Sequence, residues 1–369
     1  MKAGRPADGP AGQAIGAIVT MREFARDCLR ELRRGLGGLQ RNPSSAPSSV
    51  AGASAVMRPP SPTQVLMAEL YRGLTEAQRR EVCFDWDHRE PGRGLLRNYI
   101  SNHWQVTGPC IRGRFFSERQ QWLIEQIFRT LIDPAWHERY FAQLRDDTRG
   151  HPWGADQSIA FFGSPGGGPF QFLITGRHLT LRGEKGTDGR LAFGGPIFYG
   201  HAASGYHEKR GHPGNIFWYQ AEEAGRLHDM LDDRQRDRAI VPDLPEEPAI
   251  GFRTDRPGLP ASSLNQKQGE QLERVLAALL APFAAASRAH VIECLAAQGG
   301  LANCNLIYYR AGRLNPPLWD NWRLEGPSFV WYFRGSPHVH GWVNVAKHPA
   351  VELNAHRDVS IFPHHDPLA

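Results

Sequence analysis

The chain has 369 residues, 41% hydrophobic, 22% charged and 10% aromatic, which are the proportions of a globular protein and not of a collagen, a coiled coil or a disordered chain. Its formal charge is +5, but residues 1–60 hold nine Lys/Arg and four Asp/Glu, so the rest of the chain carries 34 of each sign and is neutral. A neutral body argues against non-specific nucleic-acid binding, and no run of eighteen apolar residues is present to span a bilayer.

Residues 1–60 read as a basic tail and linker. Within it, Ile18, Met21, Phe24, Cys28, Leu32 and Leu36 recur at helical spacing between Arg22, Arg26, Arg30, Arg33 and Arg34. That pattern predicts a basic amphipathic helix over residues 17–36, suited to a peripheral membrane surface or a protein partner, or else a marginal helix on a flexible arm. Asn42–Pro62 is a Ser/Ala/Pro linker by composition, and Met57 is an alternative start. No signal-peptide pattern opens the chain, and its five cysteines form no close CxxC pair; both features point to a cytoplasmic protein with reduced thiols.

The body reads as two related halves, residues 61–242 and 243–369. Leu74–Arg79 recurs as Leu231–Arg236, each with Thr or Asp placed as an N-cap. An amphipathic helix opening at Phe116–Gln120 has its counterpart at Leu264–Gln268. Strand Ile159–Phe162 matches Leu306–Tyr309. Leu173–Gly176 with His178–Leu181 then matches Arg323–Gly326 with Ser328–Trp331. The four offsets lie between 147 and 157 residues. The predicted fold is therefore α+β: two degenerate halves, each of helices followed by antiparallel β-hairpin strands, packed into one body. Gly163–Gly168 lacks the Lys and the following helix of a phosphate loop, and no GxGxxG joins a strand to a helix, so no nucleotide cofactor is expected.

All 16 histidines lie in the neutral body. The sharpest local signal is His338-Val339-His340: in a strand these two imidazoles share a face, and paired imidazoles suit Fe, Zn or Cu. His178, in the hairpin that matches the one before the HxH, is the expected third ligand. His201, ending the strand that corresponds in order to the HxH strand, is a candidate fourth. Each has a plainer reading: His178 as a core histidine bonded to backbone, His201 and His207 as surface-loop residues. Arg177, Glu325 and Trp342 are expected to flank an aromatic-walled substrate pocket.

Thr75–Arg79, Gly176–Leu179, Leu231–Arg236, Gly326-Pro327 and His338–His340, in this order, resemble the bacterial and fungal family catalogued as domain of unknown function 3500. The resemblance runs from about Leu74 to about Val345. It departs from the family pattern at Arg177, where a first His is usual, at Asn344, where an Arg is common, and at His201. It implies an architecture and the positions His178, His338 and His340, but no reaction. The expected function is a metal-dependent oxidoreductase or hydrolase with a mononuclear His site acting on a small molecule. The competing expectation is a non-catalytic small-molecule or metal-binding module.

Overall fold

The computed structural model describes residues 59–355, apart from 167, 186–188, 203–213 and 313–317, together with Arg30, Arg33 and Arg34 of the tail. The basic helix expected over residues 17–36 otherwise lies outside the described residues. Arg30, Arg33 and Arg34 are helical, and Arg33 Nε lies 3.0 Å from Glu273 Oε2.

The first half opens with α1 (Pro62–Gly73) and α2 (Glu76–Val82), followed by short strands β1 (Cys83–Phe84), β2 (Arg89–Glu90), β3 (Gly94–Leu95) and β4 (Tyr99–Ile100). Helices α3 (Glu118–Leu131) and α4 (His137–Asp147) then lead into β5 (Ser158–Gly163), β6 (Phe170–Gly176), β7 (Leu179–Lys185) and β8 (Ile197–His201). The chain continues with α5 (Trp218–Asp229), α6 (Asp233–Ala239), β9 (Ile240–Val241), β10 (Leu259–Pro260), α7 (Gln266–Leu280) and α8 (Ala285–Ala297). Strands β11 (Asn305–Tyr309), β12 (Asn321–Gly326), β13 (Phe329–Arg334), β14 (Val339–Val345) and β15 (Asn354–Ala355) complete it. The fold is α+β, as expected, and no helix among the described residues is long and apolar enough to cross a membrane.

Helix starts follow from local chemistry. Ser61, Thr75, Ser117, Asp232 and Asn265 each cap a helix, with Gln at the third helical position closing a capping box. The same glutamines then tie helices together. Gln78 and Gln120 exchange amide hydrogen bonds of 3.0 and 2.9 Å, and Gln235 and Gln268 do so at 3.1 and 2.8 Å. Each cap therefore satisfies orphan helix N–H groups, and in four of the five the glutamine also pairs with a second capping glutamine.

One 11-stranded sheet runs through both halves. Strands β8 and β14 pair antiparallel at its centre, with Phe198 opposite Trp342 and Val339 opposite His201. Outward from that junction the order is β7, β6, β5, β1 on one side and β13, β12, β11 with β9 and β10 on the other. The hairpins are antiparallel as predicted, but the sheet is mixed. β1 pairs parallel with β5 and β9 parallel with β11, because each short strand continues directly from a capped helix lying over the sheet. Strands of two residues carry no alternation, so nothing in the sequence marks them. Contacts cross position 242/243, since α5 packs on α7 and β9 pairs with β11.

Helices cover one face of the sheet. Tyr199, Trp331, Phe333, Leu324 and Val343 from alternating strand positions join helix residues such as Phe128, Leu276 and Leu295 in the main core. The opposite face is closed by irregular chain: Phe198, Tyr332 and Trp342 pack with Ile100 and Ile250, while Ala160 and Leu173 pack with Tyr99 and Trp104. The parity that places Trp342 on this second face also places His340 there.

Candidate metal centre

His340 is the second residue of β14, opposite Gly200 of β8, and His338 immediately precedes that strand. His178 lies in the turn between β6 and β7 with φ +49, a backbone conformation that ordinarily favours glycine. There its N–H donates to Asn102 O at 3.2 Å, and its ring passes over Gly200. A Cβ on Gly200 would lie 3.3 Å from that ring and would press on Val339 O, so glycine at this point lets strand and imidazole approach. The result is one buried cluster, His178, His338 and His340, whose candidate ligand nitrogens all lie within 4.8 Å of one another. It is the only such cluster of three or more among the described residues.

Two carboxylates orient the rings. Asp147, the last residue of α4, accepts from His178 Nδ1–H on both oxygens, at 2.9 and 2.8 Å. Burial alone would raise the Asp147 carboxyl. His178, Arg177 at 3.6 Å and the Ala202 N–H at 2.9 Å outweigh burial and hold it at about 2. Glu247 plays the same part for His340, with its Oε2 2.5 Å from Nδ1. It also accepts from Trp342 Nε1 at 3.3 Å and is ion-paired with Arg334.

With both carboxylates accepting, both Nδ1 atoms are donors, and in its neutral form each ring presents a lone pair on Nε2. Those two Nε2 atoms face each other at 3.1 Å. Two metal–nitrogen bonds of about 2.0–2.1 Å at a tetrahedral angle would separate their nitrogens by about 3.3 Å. Facing lone pairs would repel each other unless a cation lay between them, and burial pushes His340 well below its ordinary value, so that ring is poorly suited to carry one as a proton. Carboxylate–imidazole pairs of this kind are the usual support of metal-ligating histidines.

The other expected site residues fall at graded distances. Trp342 reaches the centre through Glu247. Arg177 lies beside Asp147 with its side chain 41% exposed, so its charge first serves that carboxylate. Glu325 is elsewhere: it is held by Arg253 at 2.7 and 2.8 Å and faces Val330, which pairs with Asn344, four residues along β14 from His340. His201 points to the other face, opposite Val339, and its Nε2 lies 3.3 Å from Asp146 Oδ2. It does not join the three histidines, because strand alternation separates Val339's partner from His340's. His207 lies outside the described residues. None of the four described cysteines takes part: all are free, and burial pushes the Cys83, Cys294 and Cys304 thiols up to about 12.

Sequence reasoning does not find Asp147 and Glu247. One signal for Asp147 exists: an acidic pair, Asp146-Asp147, closes α4, where the helix dipole disfavours negative charge. Glu247, between Pro245 and Pro248 in irregular chain, carries none. Asp147→Asn keeps the shape but lets the amide present N–H to His178 and release its tautomer. It is expected to weaken metal binding by roughly 10–100-fold, read by competition with a chelating dye. Unchanged affinity would mean that Asp147 does not orient the ring.

Compared with protein-family models, curated proteins and solved structures, the chain matches none of them.

Proposed function

We propose that this protein is a metal-dependent enzyme with one mononuclear centre ligated by His178, His338 and His340. The carrying observation is the convergence of two imidazole Nε2 atoms at 3.1 Å, each ring held from behind by a buried carboxylate. Three neutral nitrogen ligands suit Fe, Zn or Cu and leave coordination positions for water, dioxygen or a substrate oxygen. Asp147 and Glu247 are balanced by Arg177 and Arg334, so a divalent ion would keep its full positive charge in a largely dry site. Oxidation or hydrolysis of a small molecule is the reaction class this supports. A non-catalytic metal- or small-molecule-binding module is the second reading, favoured by the burial of all three imidazoles.

The two halves are proposed to descend from a duplication. The mirrored strand order about β8 and β14 and the paired Gln78–Gln120 and Gln235–Gln268 contacts support this. On that reading His178 comes from one half and His338 and His340 from the other, so the centre exists only where the halves meet. Membership of the family catalogued as domain of unknown function 3500, a cytoplasmic location and a membrane or protein contact through residues 17–36 belong to the same proposal.

The test is the metal content of the full chain purified from metal-replete medium, with Zn, Fe and Cu measured separately. About one equivalent per chain is expected from three convergent ligands. Absence of any stoichiometric metal would overturn the reading. A tightly held metal with no turnover of small oxidisable or hydrolysable substrates would leave the binding module.

A further inference from the structure

The same three groups, an imidazole, a carboxylate and a guanidinium, line up on each side of the β8–β14 junction. On one side His178 donates to Asp147 at 2.8 Å, and Arg177 Nε lies 3.6 Å from that carboxylate. On the other His340 donates to Glu247, which is ion-paired with Arg334. Arg177 adjoins His178 in the chain, and Arg334 faces His340 across the β13–β14 ladder. Both carboxylates are buried and Arg334 nearly so, while Arg177 is half-exposed.

A carboxylate behind a ligating imidazole ordinarily does two things: it orients the ring, and it lends negative charge to the ion. Here the first is kept and the second is cancelled, because an arginine already answers each carboxylate. No Asp, Glu or Cys joins the three histidines in the ligand cluster among the described residues, so the ligands themselves bring no charge. All three imidazoles are buried. The cost of burying an ion rises with the square of its charge, about fourfold from a monovalent to a divalent ion. Of the ions that imidazole suits, copper is the one with a stable singly charged state, and two or three nitrogens can satisfy it.

We propose that Arg177 and Arg334 set the charge of the centre so that its resident ion is Cu(I), in preference to Zn(II) or Fe(II). The proposal rests on the metal reading above and narrows it to one ion. The arginines act through Asp147 and Glu247, as positioning residues that touch no ligand atom of the ion.

The test uses the full chain stripped of metal. Its Cu(I) affinity is measured against a chromophoric Cu(I) chelator under anaerobic reducing conditions, and its Zn(II) affinity against a zinc-binding dye. The wild type is expected to hold one Cu(I) and to bind it more tightly than Zn(II). The deciding comparison is in the variants. Coulomb energy is proportional to the charge of the ion, so removing an arginine should tighten Zn(II) by the square of the factor by which it tightens Cu(I). For Arg334→Gln about tenfold is expected for Zn(II) and about threefold for Cu(I). For the half-exposed Arg177→Gln about threefold and about twofold are expected, shrinking as salt is added. Arg177→Lys keeps the charge and should behave as the wild type. A wild type that prefers Zn(II) overturns the proposal and leaves the centre standing. So do variants in which Zn(II) gains no more than Cu(I), including equal loosening of both, which is what arginines that merely hold the carboxylates in place would give. Should Arg334→Gln not fold, Arg177→Gln against Arg177→Lys decides alone. Binding of neither ion overturns the centre itself, and this proposal with it.

Discussion

Replacing His338 and His340 together by Ala is expected to reduce bound metal from about one equivalent per chain to background, because one remaining imidazole cannot hold a transition ion against water and buffer. This pair is a cleaner target than His178. Its removal leaves Glu247 with two donors, Arg334 and Trp342, so no buried carboxylate is orphaned. Deleting His178 would instead take from Asp147 its closest partner. The double variant should therefore keep its fold, read as an unchanged far-ultraviolet spectrum and cooperative melting. Elemental analysis of that folded protein provides the measurement. Metal retained at one equivalent would place the ion elsewhere and sink the centre proposed above.

The second large effect is on stability. Trp331 of β13 is fully buried, and its indole Nε1 donates to Tyr199 Oη of β8 at 2.8 Å. Tyr199 in turn donates to Gln220 Oε1 of α5 at 2.7 Å. Around the indole lie Phe193, Phe283 and Phe329, so a single side chain joins the two central hairpins to the helical layer. Trp331→Ala removes that volume and leaves the Tyr199 hydroxyl without its donor. It is expected to cost about 3–5 kcal/mol in urea unfolding. Trp331→Phe fills most of the space and loses the hydrogen bond, so about 1–2 kcal/mol is expected. A loss below about 1 kcal/mol for the alanine variant would mean that the core closes over the gap, contrary to its packing.

How much of the fold and the centre is legible in the sequence depends on how far each determinant reaches along the chain. Thr75 and Asp232 are legible as helix caps because a cap and its glutamine lie three residues apart. The hairpins around Gly163 and Gly176 are legible because alternation and turn chemistry act over a few residues. His338 and His340 are legible as a same-face pair for the same reason. His201 shows where this stops. Its place at the end of the matching strand suggests a fourth ligand, but the β8–β14 register pairs it with Val339 and turns it to the other face. Register between strands more than a hundred residues apart is set by the packing of whole faces, which no local pattern encodes. Glu325 departs from its expected place on the same ground, being drawn to Arg253 and Arg323.

The basic excess, the neutral body rich in histidine, the α+β class and the same-face pair His338 and His340 are legible in the sequence alone. Each rests on composition or on short-range periodicity. Tertiary structure decides that β8 and β14 form the middle of one sheet and that Asp147 and Glu247 stand behind two of the imidazoles. These are relations between residues about 30 to more than 100 positions apart, and only the closing of the two halves onto a common sheet brings them within reach of a hydrogen bond or a shared ion.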